Sequence, residues 1–161
     1  MTRDGPTPVD DSVEVRELRP DQWYRLRSNP LRIPAVLYLC ELCKLLPNSV
    51  KTRLYGAIGV DVGDGVVIAP HVQVDPFFPE RMTIGADTVV GWGTKLLTHE
   101  AYTEEWHVGP LEVGADVTLG HGCATRPGVT IGDGATVAAH SFVDRDVAPG
   151  ETVGGVPIET L

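Results

Sequence analysis

The sequence predicts a mainly β fold, a triangular solenoid of short parallel strands, with an N-terminal helical extension. Three observations carry this expectation. Aliphatic residues or Thr recur every six positions without a gap, at Val113, Leu119, Thr125, Ile131, Val137 and Val143. Glycine directly follows several of them, at Gly114, Gly120 and Gly132. The residues available to fill a core are small: of 22 Val, 17 lie from Val60 onward, whereas the whole chain of 161 residues has ten aromatics. Six residues are too few for a βα unit, and neither helical nor alternating periodicity puts apolar side chains strictly six apart. A hexad that forms one strand and one turn does, and three hexads then close a coil of about eighteen residues around an aliphatic interior.

Taken from the N-terminus, residues 1–11 are rich in Pro and Asp and are expected to be disordered. Residues 34–46, PAVLYLCELCKLL, open with Pro at a favoured first-turn position and end before Pro47, which predicts one helix. Only Glu41 and Lys44 interrupt its apolar surface. It must therefore be covered, by the prism, by a neighbouring subunit or by a membrane surface, and it is too short to span a bilayer. Cys40 and Cys43 form a CxxC on this helix, but with no preceding strand or active-site turn they read as core packing. The ladder starts at Val62, Ile68 and Val74, breaks at DPFFPERMT, resumes at Ile84, Val90 and Leu96, and breaks again at THEAYTEEWHVGP. Its second inward position falls at Val117, Cys123, Val129, Ala135, Ser141 and Val147. Four coils are expected, beginning near Val62, Ile84, Val113 and Ile131 and closing on TVGGVP. The chain divides at this stage into an extension, 1–57, and a repeat domain, 58–161.

With 22 acidic residues against 13 basic, the net charge of -9 would be repelled by phosphate backbones, which argues against a nucleic-acid partner. The excess of Arg over Lys and the twelve Asp resemble the bias of proteins from salt-loving organisms, so stability that rises with salt is expected. No run of eighteen apolar residues and no signal peptide occurs, which predicts a cytoplasmic protein with no transmembrane span. Three cysteines are too few for a disulfide framework.

The stretch IGDGATVAAHSFV, followed by VGGVP, resembles the hexapeptide-repeat acyltransferases, of the galactoside and maltose O-acetyltransferase type. The resemblance implies a left-handed parallel β-helix, a homotrimer, and CoA-dependent transfer of an acetyl group from acetyl-CoA to a hydroxyl of a small acceptor, most commonly a sugar, without a metal. It carries a general base to His99, which follows Thr98 at the root of the longer break. A neutral imidazole there takes the proton of an otherwise poorly nucleophilic hydroxyl, so no covalent acyl-enzyme is needed. Glu100 or a backbone carbonyl is a candidate to hold its tautomer, and His107 is the rival base. Cys123 falls at an inward position and reads as inert packing.

For the CoA arm the resemblance points to His121 in LGHG, Ala139 in VAAH, and Asp144 with Arg145 in VDRD. The usual pair at the last site is Thr-Lys; Arg145 can meet a phosphate as Lys does, whereas Asp144 cannot. Asp75, in the shorter break, matches an acidic residue used towards a sugar acceptor, or is a turn-initiating Asp before Pro. Phe77 and Phe78 line a groove between subunits or cover a prism face. Two other classes of function remain. The segment LGHGCATRPGVTIGDG is similar to the segment of gamma-class carbonic anhydrases that carries two zinc-ligating histidines, but only His121 matches, and Arg126 stands where the second is expected. The third reading is a non-catalytic β-helix assembly protein.

Overall fold

The computed structural model describes residues 7–27, 29 and 31–161. The disorder expected for residues 1–11 falls largely on residues 1–6, which lie outside the described residues.

The six-residue ladder folds as three parallel sheets that wrap one interior. Asp61–Val62, Met82–Ile84, Leu111–Val113 and Val129–Ile131 make the first face, with Val62 beside Ile84, Ile84 beside Val113 and Val113 beside Ile131. The second face stacks Ile68, Val90, Leu119, Val137 and Val153, and the third contains Gln73–Val74, Lys95–Leu96, Ala124–Thr125 and Phe142–Val143. The frame residues that share a face are thus neighbours along the prism. Apart from Val62, which is half-buried, they are buried and form one continuous core. Each Val or Ile so removed from water contributes roughly 1.5–3 kcal/mol. The glycine after a frame residue has a steric reason: a Cβ on Gly85 would stand 2.4 Å from the backbone of Gly114 in the next coil. Close stacking of coils excludes any larger residue there.

The extension differs from the single helix expected over 34–46. Two helices form, α1 (Arg32–Cys43) and α2 (Asn48–Ile58), with Pro47 at the start of the second. α2 ends on Gly59, whose φ of 115° suits glycine. Periodicity did not announce α2 because its buried stripe is Lys51, Tyr55 and Ile58, with a charged residue where an apolar one is looked for. Together the helices cover the first coil, whose upper edge has no preceding strand among the described residues. The Asn48 amide substitutes for one, donating from Nδ2 to the Val66 carbonyl and accepting at Oδ1 from the Ile68 amide, both at 2.9 Å. Lys51, 1% exposed, donates from Nζ to the carbonyls of Ile68 and Ala69 at 2.9 and 3.1 Å. Burial lowers its pKa, but these oxygens give the ammonium partners. Cys40 and Cys43 are buried free thiols in the main core. At the opposite end Glu159–Thr160 adds an antiparallel strand to Thr152–Gly154. No helix of the described residues is long and apolar enough to cross a membrane.

Candidate functional site

Both breaks leave the prism at the corner where the third face returns to the first. The longer one is an ordered hairpin, His99–Ala101 against Trp106–Val108, extended by an N-terminal strand, Glu14–Arg16, on the outer side of Trp106–Val108. Leu26, Phe78, Trp106 and Val108 form a second small core under this sheet. Phe78 is therefore buried, with the guanidinium of Arg27 4.7 Å from its ring centre. Phe77 lies beside His99, ring centres 4.6 Å apart, and Trp106 stacks on the imidazole at 5.2 Å. Three aromatic walls, Phe78 being the most distant, fix the orientation of the ring.

The imidazole is held from behind. Its Nδ1 lies 2.5 Å from Oδ2 of Asp75, a carboxylate that is 0% exposed. Asp75 also accepts the Phe77 amide at Oδ1 and the Thr98 amide at Oδ2, each at 2.8 Å. Burial by itself would raise the Asp75 carboxyl; the hydrogen bond and charge of His99 and the two amides outweigh it, and the group is held below its ordinary range. An ionised carboxylate can only accept, so Nδ1 carries the hydrogen whether the ring is charged or neutral, and in the neutral imidazole Nε2 has the lone pair. Nε2 is on the side away from buried Asp75, where the ring, 17% exposed, borders a cleft of about 550 Å³. Both oxygens of Asp75, expected to face an acceptor, are thus engaged within the chain, and the carboxylate that meets the His99 imidazole is Asp75 rather than Glu100.

Glu100 is occupied elsewhere. It accepts from Arg126 Nε and Nη2 at 3.0 Å and from the Tyr102 hydroxyl at 2.6 Å. Arg126, at the position where a second zinc-ligating histidine was sought, is thereby an anchor for the hairpin. Among the described residues no group of three or more His, Cys, Asp or Glu is arranged to hold a metal ion. His107, the rival base, points to the other face of the hairpin; it is 2% exposed, with Nε2 3.1 Å from Glu105. Cys123 is buried, its thiol raised by burial and donating to the Ala138 carbonyl at 3.1 Å, which disfavours the nucleophilic thiolate.

The residues expected at the CoA arm divide between two corners. His121 and Ala139 are exposed in successive turns between the second and third faces, where His121 Nε2 meets His140 Nε2 at 2.9 Å. Gly122, with φ of 70°, leaves the room that the His140 ring occupies. Asp144 and Arg145 lie on the same corner as His99, two coils further along. Arg145 is committed within the chain, donating to the Asp146 carbonyl and to Glu151, whose carboxyl is drawn down to about 2 by Thr160, the Ala148 amide and Arg145.

Comparison with known proteins adds four likenesses. The family described as bacterial transferase hexapeptide (six repeats) matches residues 111–145. The Bacillus subtilis protein named "Putative acetyltransferase YvoF" is 32% identical over 142 residues, which span 86% of this chain and 83% of that one. Galactoside O-acetyltransferase of Escherichia coli K12 is 31% identical over 103 residues, 63% of this chain and 43% of that protein. Among solved structures, a hexapeptide-repeat-containing acetyltransferase of Vibrio cholerae O1 biovar eltor, complexed with acetyl coenzyme A, superposes with a TM-score of 0.59 at 24% identity, covering 80% of this chain and 86% of that chain.

Proposed function

The chain belongs to the hexapeptide-repeat acetyltransferases, a family of left-handed parallel β-helices, and from that premise we propose that it transfers the acetyl group of acetyl-CoA to a hydroxyl of a small acceptor, with His99 as general base. One observation carries the assignment of the base: a fully buried carboxylate, Asp75, sets the hydrogen on His99 Nδ1 and leaves Nε2 towards a cleft. Nε2 accepts the proton of the acceptor hydroxyl as its oxygen attacks the acetyl carbonyl. The new carbon–oxygen bond forms, the carbon–sulfur bond breaks, and the same nitrogen returns the proton to the departing sulfur. Asp75 stabilises the transient imidazolium, and Trp106 and Phe77 keep the ring from turning. Positioned proton transfer of this kind accelerates reactions by about a hundred- to ten-thousandfold. Cys123 takes no part, so transfer is direct.

The donor is supported by the solved relative complexed with acetyl coenzyme A, and the hydroxyl acceptor by the name of the galactoside O-acetyltransferase. His121, Ala139, Asp144 and Arg145 are the residues assigned to the CoA arm. Their division between two corners supports a donor site shared by two copies of the chain, and hence a homotrimer acting in the cytoplasm. Arg145 must exchange Glu151 for a phosphate to serve there. The test is thiol release from acetyl-CoA across a panel of hydroxyl acceptors, with His99→Ala alongside. Turnover in the wild type that falls at least a hundredfold in the variant supports the reading; a variant of undiminished activity rejects His99 as the base.

A further inference from the structure

The geometry points to a neutral amphiphilic alcohol as the acceptor, its hydroxyl-bearing head at His99 and its hydrocarbon tail leaving over Leu37 along the exposed face of α1. This rests on the acetyltransferase reading above and narrows it.

The cleft in front of His99 is walled mainly by Leu37, Pro76, Phe77, Leu97 and the Tyr102 ring. A free sugar brings several hydroxyls, each of which loses water on entry and needs a partner there. Beside His99, the Gln73 amide is the uncommitted polar side chain of that lining, enough for one further hydroxyl; both oxygens of Glu100 are already engaged by Arg126, and Oε2 also by the Tyr102 hydroxyl. Such walls suit one or two hydroxyls on an apolar body.

Charge decides the head group. Among the described residues no Lys or Arg lines the cleft, and the guanidinium that reaches its Glu100, Arg126, is paired with that carboxylate. A phosphate or carboxylate on the acceptor would enter beside Glu100 without a free cation, in a chain of net charge -9. A neutral head avoids that cost.

The route for the tail follows from helix geometry. At about 100° per residue, Leu37 stands at one edge of an outward arc that continues through Tyr38, Leu42 and, at the helix ends, Leu31 and Leu45. Leu37 is 41% exposed, Tyr38 75% and Leu42 62%. The charged side chain within the arc, Glu41, is paired with Lys44 at 2.6 Å. The wall of the reaction cleft and this apolar strip therefore share a residue, and a chain anchored at His99 meets hydrocarbon on leaving.

The experiment uses acetyl-CoA with 1-O-alkylglycerols of increasing chain length, each below its micellar concentration. A methyl galactoside and a long-chain alkylglycerol phosphate serve as the comparison acceptors, with thiol release and the mass of the ester as readouts. Expected is a kcat/KM that climbs with chain length, by up to about fourfold per methylene that becomes buried. The longest alcohol should exceed the galactoside at least a hundredfold and the phosphate at least tenfold. Leu37→Asp and Tyr38→Ser should each cut the long-to-short ratio of kcat/KM tenfold or more, mostly through KM. A flat series, a galactoside used as well as the longest alcohol, or a ratio untouched by both variants overturns the inference while leaving acetyl transfer standing. Equal use of the phosphate overturns the neutral head. No thiol release with any acceptor overturns both the inference and the reading beneath it.

Discussion

Arg126 and Glu100, 26 residues apart, are joined edge to edge: guanidinium Nε lies 3.0 Å from one carboxylate oxygen and Nη2 3.0 Å from the other. Both side chains are mostly buried, at 12% and 15% exposure, and Glu100 directly follows His99. The pair therefore ties the hairpin that carries the imidazole to the next coil.

Arg126→Met leaves the mostly buried Glu100 without its counter-charge and should cost about 2–3 kcal/mol, less than for a fully buried pair because some solvent screens it. Thermal melts would register the loss, and adding Glu100→Gln should recover most of it. A double variant no more stable than Arg126→Met would show that the pair is not the anchor.

Asp75→Asn tests the orientation of His99. The amide can donate to Nδ1 and so favour the tautomer that carries its hydrogen on Nε2, where a lone pair is needed. Turnover should fall on the order of a thousandfold with little change in the KM for acetyl-CoA, measured by steady-state thiol release. Full activity in this variant would remove Asp75 from the mechanism.

The two hairpin histidines should separate by readout. His99→Ala should abolish at least 99% of turnover with an almost unchanged melting temperature, because its ring borders a cleft. His107→Ala, which empties a buried site, should lower stability by roughly 1–3 kcal/mol while leaving measurable turnover. The reverse pattern would hand the role of base to His107.

Acid should weaken the fold through Asp75. Its folded pKa is depressed below the ordinary value of 3.8, first against the opposing effect of burial, by His99 and the Phe77 and Thr98 amides. A depressed carboxyl contributes stability that is present above its unfolded value and lost as pH falls through the folded one. Denaturant titrations should therefore show a stability that declines from about pH 4 downward. The decline should be shallower in Asp75→Asn; identical slopes would exclude this group as a source.

The cap on the first coil gives a further measurable change. Lys51→Met removes the donor to the carbonyls of Ile68 and Ala69 and should cost about 1–3 kcal/mol, since buried acceptors lose their partner. Equal melting temperatures would mean that the ammonium is dispensable.

The parallel coils were legible because their information is local: Val113 to Val143 repeat every six residues, and Gly85 and Gly114 mark the close approach of neighbouring coils. The hairpin was not. Glu14–Arg16 joins Trp106–Val108 across most of the chain, and no local period announces such a pairing. His99 is assigned by its place at the root of a break, whereas the family resemblance sends Asp75 to the acceptor, with a turn-initiating Asp before Pro as the alternative. Its real signal, two inward amides that need an acceptor, exists only once Thr98 has folded over it. α2 was missed for a related reason, since Lys51 interrupts the apolar stripe yet is buried among carbonyls.

The amide of Asn48 occupies the place that another strand would take on the uppermost coil, and the reversed strand Glu159–Thr160 blocks the second face at the other extremity. A stack of identical rungs is by nature open-ended, and two such open ends would weld copies head to tail into fibres. The helix pair makes this stack a finite object. Deleting residues 1–58 opens one end only and should thus join copies in end-to-end pairs, with filaments expected once Glu159–Thr160 is removed as well.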